Sequence, residues 1–425
     1  MTRRSARIPS RPNASCAALP DFVTRALIAG AGIGGLTAAL ALSQAGFEVT
    51  IFERAPALEA FGAGLQLTPN ATRILAELDI LDAVRALASE PRRVRILRGR
   101  DDVELAALDL TASGRRWGAP YLIIHRADLQ GALADTARTR ANIDLRLGIE
   151  LVGVDEQVGV VAVGLRRGPV SHRETGDIVV GADGLRSRVR ERLGLGGVDA
   201  APFSGRVAFR AIVPAKDLPA RWLAPDVTIW LGRRAHLVQY PLRGGAVINL
   251  VAVMESAWRG ENGDHIWDGV ADLPTLERAF AGWSHETRAL IGAAQAWRAW
   301  PLFQRPPIAR FARGRVALLG DAAHPMVPFL AQGAAQAIED AGALARRLGE
   351  TDNVEAALAG YSRDRVARAG RVQREALAQG RIYHMSGPLG AARDLAMRAL
   401  GPERLLARYD WLYAAREGDP EWSTK

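Results

Sequence analysis

The chain has 425 residues, 48% hydrophobic and 24% charged, a globular composition long enough for two or more domains and a large core. Of its formal charge of +9, the first 25 residues supply +4 (five Arg less one Asp); the rest is dispersed, without a basic run or aromatic-basic interleaving, which argues against nucleic-acid binding and for a mild attraction of small anions. No apolar run reaches 18 residues, so no membrane span is expected, and the single cysteine, Cys16, leaves no disulfide, CxxC pair or zinc cluster, as expected of a reducing cytoplasm and of a protein without a metal site.

Residues 1–22, with three prolines and no periodicity, read as a disordered tail. Its Arg3-Arg4 pair lacks the apolar region of an export signal. From Val23 the chain forms a short apolar strand ending in "AGAGIGG", then a helix over Leu36–Ala45, then a second strand, "EVTIFER", after Gly46. This strand–helix–strand unit carries Gly30-x-Gly32-x-x-Gly35, with Ile33 and Gly34 inside it and Glu53 at the end of the second strand. Glycines there allow a tight turn and backbone approach to a pyrophosphate. The helix N-terminus favours phosphate charge, and an acid about 20 residues on can take ribose hydroxyls. Dinucleotide binding follows, although Glu53 alone does not separate FAD from NAD. The stretch "TPNATRILAELDILDAVRAL" (68–87) then reads as helical, starting at Thr68 or Asn70.

In "DIVVGADGLRSRVR" (177–190) a buried strand ends at Gly181 and Asp183-Gly184 makes a tight turn. Arg186, Arg188 and Arg190 follow on a helical start, where arginines can meet phosphate; the competing reading is a plain turn before a solvated basic helix. From about 202, "GRVAFRAIVP", "DVTIWLG", "AHLVQYP" and "AVINLVAVM" read as strands of an antiparallel sheet inserted between α/β pieces. Alternation puts His236, Val238 and Tyr240 on one face, an imidazole and a phenol suited to handling protons. Arg210 and Arg243 are each either a carboxylate seat or a solvated sheet-edge charge. Residues 274–300 read as helical. "VALLGDAAHPMVPFLAQGAAQAIEDAG" (316–342) follows: a strand broken at Gly320-Asp321, a proline loop, and a small-residue helix after Gly333. Its first amides point their positive end back at the loop, and Asp321 is either a cap or a ligand for sugar-like hydroxyls. The rest is mostly helix.

These three motifs in this order resemble the single-component FAD-dependent aromatic hydroxylases (group A flavoprotein monooxygenases), over roughly residues 24–415. "FGAGLQLTPNATRIL", "HRADLQGAL", "HLVQYPLRGG" and "MVPFLAQGAAQAIEDA" look closest to the salicylate, 3-hydroxybenzoate and 6-hydroxynicotinate hydroxylase branch. The resemblance implies an α/β fold: a Rossmann-like FAD-binding domain (23–200 and 301–380), an inserted, mainly antiparallel β-sheet substrate domain (201–300) and a C-terminal helical segment (381–425). It implies FAD held by Gly30–Gly35, by Glu53 and Arg54 on the adenosine side, by Gly64, Leu65 and Gln66 near the ring, and by Arg126. Asp321 would take the ribityl chain, and Pro328 with Ala331–Ala334, Gly333 included, would flank the isoalloxazine. Asp183 would serve both FAD and a transient NADH or NADPH.

The implied activity is hydroxylation of a phenolic aromatic acid with O2 through a flavin C4a-hydroperoxide. His236, aided by Tyr240, would remove the phenol proton. The same flavin chemistry on a larger aromatic or polyketide ring, or on an alkene, is the alternative. Phe329 and Gln66 replace residues that vary among relatives and leave the substrate open. The implied partners are a small aromatic molecule and O2, in the cytoplasm, with a homodimer compatible with them.

Overall fold

A computed structural model describes residues 24–58, 64–196, 201–256, 269–270 and 273–416; the expectation of a disordered tail at 1–22 lies outside them. A six-stranded sheet runs in the order 312–313, 316–318, 178–181, 25–29, 48–53, 143–147. It is parallel except for the short Ala312–Arg313 edge. Parallel strands are covered on both faces and read as continuous apolar runs, which is why Leu27, Ile28, Val179 and Val180 are fully buried. The helix Ile33–Gln44 is apolar nearly all round and packs between this sheet and the helix Gly333–Gly349. It begins three residues before the expected Leu36, inside the glycine motif, with Leu36 N–H donating to Gly32 O at 3.0 Å. Glycine's poor helix propensity hides that start from pattern reading.

The second layer is an eight-stranded sheet, in the order 269–270, 298–303, 203–214, 247–255, 235–242, 227–232, 93–98, 104–109. It is antiparallel except where Val227–Gly232 runs parallel to Arg93–Arg98. Its last two strands therefore come from residues 93–109, ahead of the stretch whose sequence announced a sheet. Trp230, Trp283, Phe280 and Leu276 close its outer face. The two-stranded ribbon Gly64–Leu67 with Leu122–His125 lies against its inner face, where Gly64 N–H donates to Asn249 Oδ1 at 3.0 Å. A three-stranded meander, Glu150–Glu156, Val161–Arg167 and Val170–Gly176, completes the β structure.

Two further sequence expectations change. The helical stretch 68–87 is two helices, Pro69–Glu77 and Leu81–Leu87, because Asp79 adopts φ 59° between them. Aspartate tolerates that left-handed conformation, and it ends a helix. Residues 274–300 are not helical throughout: helices Leu273–Ala279 and His285–Gly292 give way to the strand Arg298–Phe303, which pairs with Phe203–Pro214. Among the described residues no helix is long and apolar enough to cross a membrane.

Candidate active site

A cleft of about 1000 Å³ opens between the carboxyl ends of the six-stranded sheet and the inner face of the eight-stranded one, the position where open α/β sheets bind ligands. Gly30, Gly32, Ile33 and Gly34 line it. Gly30 has φ +98°, and a Cβ there would lie 2.6 Å from the Ala182 carbonyl oxygen. Gly35 is instead the contact between strand and helix, where a Cβ would come 2.0 Å from Gly30 O. Glu53 fixes the turn: Oε2 accepts from Ala31 N–H at 2.8 Å and Oε1 from Ala55 N–H at 2.9 Å. Each oxygen keeps a lone pair for the cleft, with exposed Arg54 beside it.

At the next strand end, Asp183 Oδ2 caps the helix Arg188–Arg192, accepting from Arg188 N–H at 2.7 Å. Its Oδ1 is buried without a hydrogen-bond partner, and burial pushes its pKa up. Arg186 and Arg188 border the cleft. Arg190, grouped with them as a phosphate contact, does not: it is 3% exposed and donates to the carbonyls of Leu195, Ala322 and Ala323. It ties the Asp183 turn to the Asp321 loop. Helical periodicity is the reason, since two residues of spacing put Arg188 and Arg190 on different faces.

Asp321 opens onto the cleft and, among the described residues, has no protein hydrogen-bond partner. The surrounding burial pushes its pKa up against the pull of Arg126 and His324. Beneath it, His324 is buried with Nε2 2.6 Å from Asp340 Oδ2, which also accepts from Gly320 N–H at 2.8 Å. His324 is therefore a strut for the loop. Pro328, Ala331, Gly333 and Ala334 form the far wall, at the start of the helix Gly333–Gly349.

The floor is the inner face of the large sheet. His236, Val238 and Tyr240 all line the cleft, as the alternation predicts. Register extends that face sideways: Val238 is opposite Val251, and Val251 is opposite Arg210. Arg210 lines the cleft with its Nε unpartnered and faces Trp300 at 5.3 Å. Arg243 is not part of the site; it is exposed and forms an ion pair with Asp128 at 2.8 Å. Burial pushes Tyr240 above its ordinary range, which keeps it a neutral hydroxyl donor. Burial, then His384 and Arg206, hold His236 well below the imidazole range. Gly64, Leu65, Gln66 and Arg126 complete the rim. A Cβ at Gly64 would lie 2.3 Å from the Tyr240 ring, and Gln66 Oε1 accepts from Tyr121 OH at 2.5 Å.

FAD fits these residues. A side-chain-free turn at a helix N-terminus suits a pyrophosphate. Glu53 suits ribose hydroxyls, and Asp183 Oδ1 and Asp321 are acceptors without protein donors among the described residues. Comparison with known proteins agrees. The family profile described as "FAD binding domain" matches residues 23–376, and the chain belongs to that family, the FAD-dependent aromatic hydroxylases. It is 37% identical to 3-hydroxybenzoate 6-hydroxylase 1 of Aquipseudomonas alcaligenes, over 91% of this chain and 96% of that protein. It is 36% identical to 6-hydroxynicotinate 3-monooxygenase of Bordetella bronchiseptica, over 82% of this chain and 90% of that one. A solved salicylate hydroxylase substrate complex superimposes with a TM-score of 0.79 at 25% identity, covering 94% of this chain and 97% of that chain.

Because Gly30 combines left-handed φ with a backbone neighbour 2.6 Å from any Cβ, Gly30→Ala is expected to cost about 1–3 kcal/mol locally. The purified variant should retain well under half the wild-type flavin by absorbance at unchanged far-UV circular dichroism. Full flavin content would refute the assignment of this turn.

Proposed function

We propose that the protein uses NAD(P)H and O2 to hydroxylate a small phenolic aromatic acid, with His236 as base for the ring hydroxyl and Arg210 as seat for the carboxylate. The observation that carries this reading is the floor of the cleft. It offers a neutral imidazole and a guanidinium that, among the described residues, has no acidic partner, both on one sheet face; Arg210 is two strand spacings, about 10 Å, from Val238, and His236 stands two residues further along that strand. A benzene ring with a hydroxyl and a carboxylate fits between such ends. The relatives point the same way, since the names of those described above specify hydroxybenzoate, hydroxynicotinate and salicylate. Nothing favours the larger-ring or alkene alternative.

In this reading the glycine turn and Glu53 hold the dinucleotide's pyrophosphate and adenosine, and Asp183 and Asp321 take hydroxyls of the linking chain. Gly64–Gln66, Pro328, Gly333 and Ala334 flank the ring system, with Arg126 close by. When bound, FAD reduced by NAD(P)H activates O2 and supplies the oxygen atom. The chain's own work is at the substrate. Arg210 orients the acid by a charge-assisted pair. His236 Nε2 accepts the phenol proton, Tyr240 donates to the phenolate oxygen, and Val238, Val251 and Val253 exclude water from the ring. Ionising the phenol raises electron density at the carbons ortho and para to it, where an electrophilic oxygen is accepted.

The test is substrate-stimulated NADH and NADPH oxidation over a panel of hydroxybenzoates, with ¹⁸O2 incorporation read by mass spectrometry. Labelled dihydroxy product is expected, and uncoupled peroxide from every phenolic acid would defeat the reading. Arg210→Gln is expected to weaken binding of a hydroxybenzoate by about 2–3 kcal/mol, roughly 30- to 150-fold in KM. The matching phenol without a carboxylate should change little. Equal loss for both would mean that Arg210 does not hold the acid.

A further inference from the structure

His236 is fully enclosed except toward the cleft, yet a base that takes a proton on every turnover has to release it. Behind it lies a continuous path. His236 Nδ1 is 2.8 Å from His384 Nε2, and His384 Nδ1 is 3.4 Å from Glu255 Oε1. His384 terminates the long helix Val354–Tyr383 and is 6% exposed. Glu255 ends the strand Val247–Glu255, with 29% of its side chain exposed and Oε2 2.7 Å from the outward Arg234. We propose that His236, His384 and Glu255 form a proton relay from the substrate hydroxyl to solvent, His384 and Glu255 acting through the base assigned above, on which this inference rests.

The acceptor end sets the tautomers. Arg234 and His384 more than offset the effect of burial on Glu255 and hold it below the usual carboxyl range, so it accepts only. His384 then carries its proton on Nδ1 and presents Nε2 as an acceptor. His236 accordingly carries its proton on Nδ1 and turns a bare Nε2 to the cleft, the nitrogen that deprotonation of a phenol requires. When the phenol O–H breaks, its proton bonds to His236 Nε2. The Nδ1 proton of His236 passes to His384 Nε2, and the Nδ1 proton of His384 passes to Glu255, which releases it to water. The products are a phenolate in the cleft and one proton in solution. Each ring ends neutral with its tautomer reversed; a proton re-entering at Glu255 and passing inward resets both rings, as His236 Nε2 returns its proton to the phenolate of the departing product.

The surrounding charges suit outward transfer. Arg206 of the strand Phe203–Pro214 acts on both imidazoles and lies 3.9 Å from Glu255 Oε1. Arg393 of the helix Gly387–Ala407 acts on His384, and Arg381 acts on Arg206. Phe329 and Tyr383 pack their rings on His236 at 5.4 and 5.2 Å and keep water off it. Burial and Arg206 push His384 down to about 4, so neither imidazole holds a standing charge and concerted transfer is favoured over storage. A purely structural histidine pair would not require an ionised residue at its outer end to open onto solvent.

The experiment uses the FAD-loaded protein with 3-hydroxybenzoate as probe, mixed in weak buffer with a pH indicator in a stopped-flow instrument. Phenolate absorbance and proton release are followed together. Wild type is expected to ionise the probe and release a proton with it. His384→Gln should slow release about 10-fold or more, and Glu255→Gln about threefold or more. Probe affinity and flavin content should stay within about twofold, since neither side chain lines the cleft. Release at the wild-type rate in both variants, with ionisation lost in His236→Gln, overturns the relay while leaving the base in place. Ionisation retained in His236→Gln overturns the base and the relay with it. Should His384→Gln fail to fold, Glu255→Gln, altered at the solvent edge, decides the matter by the same rates.

Discussion

His236→Gln is expected to lower kcat for a phenolic acid about 100- to 1000-fold, the range typical of a lost general base, while the protein keeps its flavin and reduces it with NAD(P)H. Glutamine preserves size and polarity at this buried position, so the loss reports proton transfer and not a cavity. The wild-type pH profile supplies a second reading. Protonation disables the base. Because burial and the His384 and Arg206 neighbours hold His236 well below the ordinary imidazole range, kcat/KM should persist as pH falls through about 6.5 and decline only at lower pH. A variant within threefold of wild type, or an acid limb centred at or above the free-imidazole value, would remove His236 from the chemistry.

The second large effect concerns the support of the Asp321 loop. Arg365 is fully buried between the long helices. It donates to Asp340 Oδ1 and Glu339 Oε2 at 2.6 Å each, and Arg368 donates to Glu339 at 2.6 Å. Burial alone would raise both carboxyls. Arg368 and Arg365 around Glu339, and His324 and Arg365 around Asp340, more than offset it and hold each at about 2.

Removing one partner from such a cluster leaves an unpaired buried charge, so Arg365→Met is expected to cost about 3–5 kcal/mol of unfolding free energy. Urea titration of the holoprotein would measure it, and a loss below about 1 kcal/mol would sink the proposal. The pH dependence has a definite sign. A carboxyl held below its unfolded value of about 4 contributes stability that is complete above that value and is lost as pH falls toward 2. In the variant both carboxyls move up, so acid unfolding should begin at higher pH. Asp340 also accepts from Gly320 N–H and pairs with His324, so weaker flavin retention should accompany the loss.

How much of this was legible in the sequence depended on the range of the interactions involved. Gly30, Gly32 and Glu53 were readable because turn, helix start and acid fall within about 25 residues of one strand–helix–strand unit, where backbone geometry dictates residue type. That His236 and Tyr240 share one sheet face was readable because period-two alternation is local. Arg190 was misread because it was grouped with Arg186 and Arg188, although two residues of spacing on a helix put Arg188 and Arg190 on different faces. The helix break at Asp79 was missed because a left-handed aspartate leaves no gap in an apolar pattern. The strand at 298–303 was missed because a strand that begins where a helical run ends shows too few residues to establish its own period.

His384 and Glu255 carried no signal at all. They stand 148 and 19 residues from His236 in the chain, on a helix end and a strand end that only the packed fold brings together. The choice between Arg210 and Arg243 was likewise closed to the sequence, since an arginine on a strand and one in the turn just after a strand are equally able to face a site. Pairing separates them: Asp128 reaches Arg243 from another element, while among the described residues no acid pairs with Arg210. By itself the sequence determined the α/β class, the dinucleotide turn and the flavin family, because these rest on local backbone constraints repeated at three strand ends. The tertiary structure decided which charged groups are neutralised and which are left facing the cleft, because a charge's role depends on burial and on its nearest opposite charge, and both are set by contacts between residues far apart in the chain.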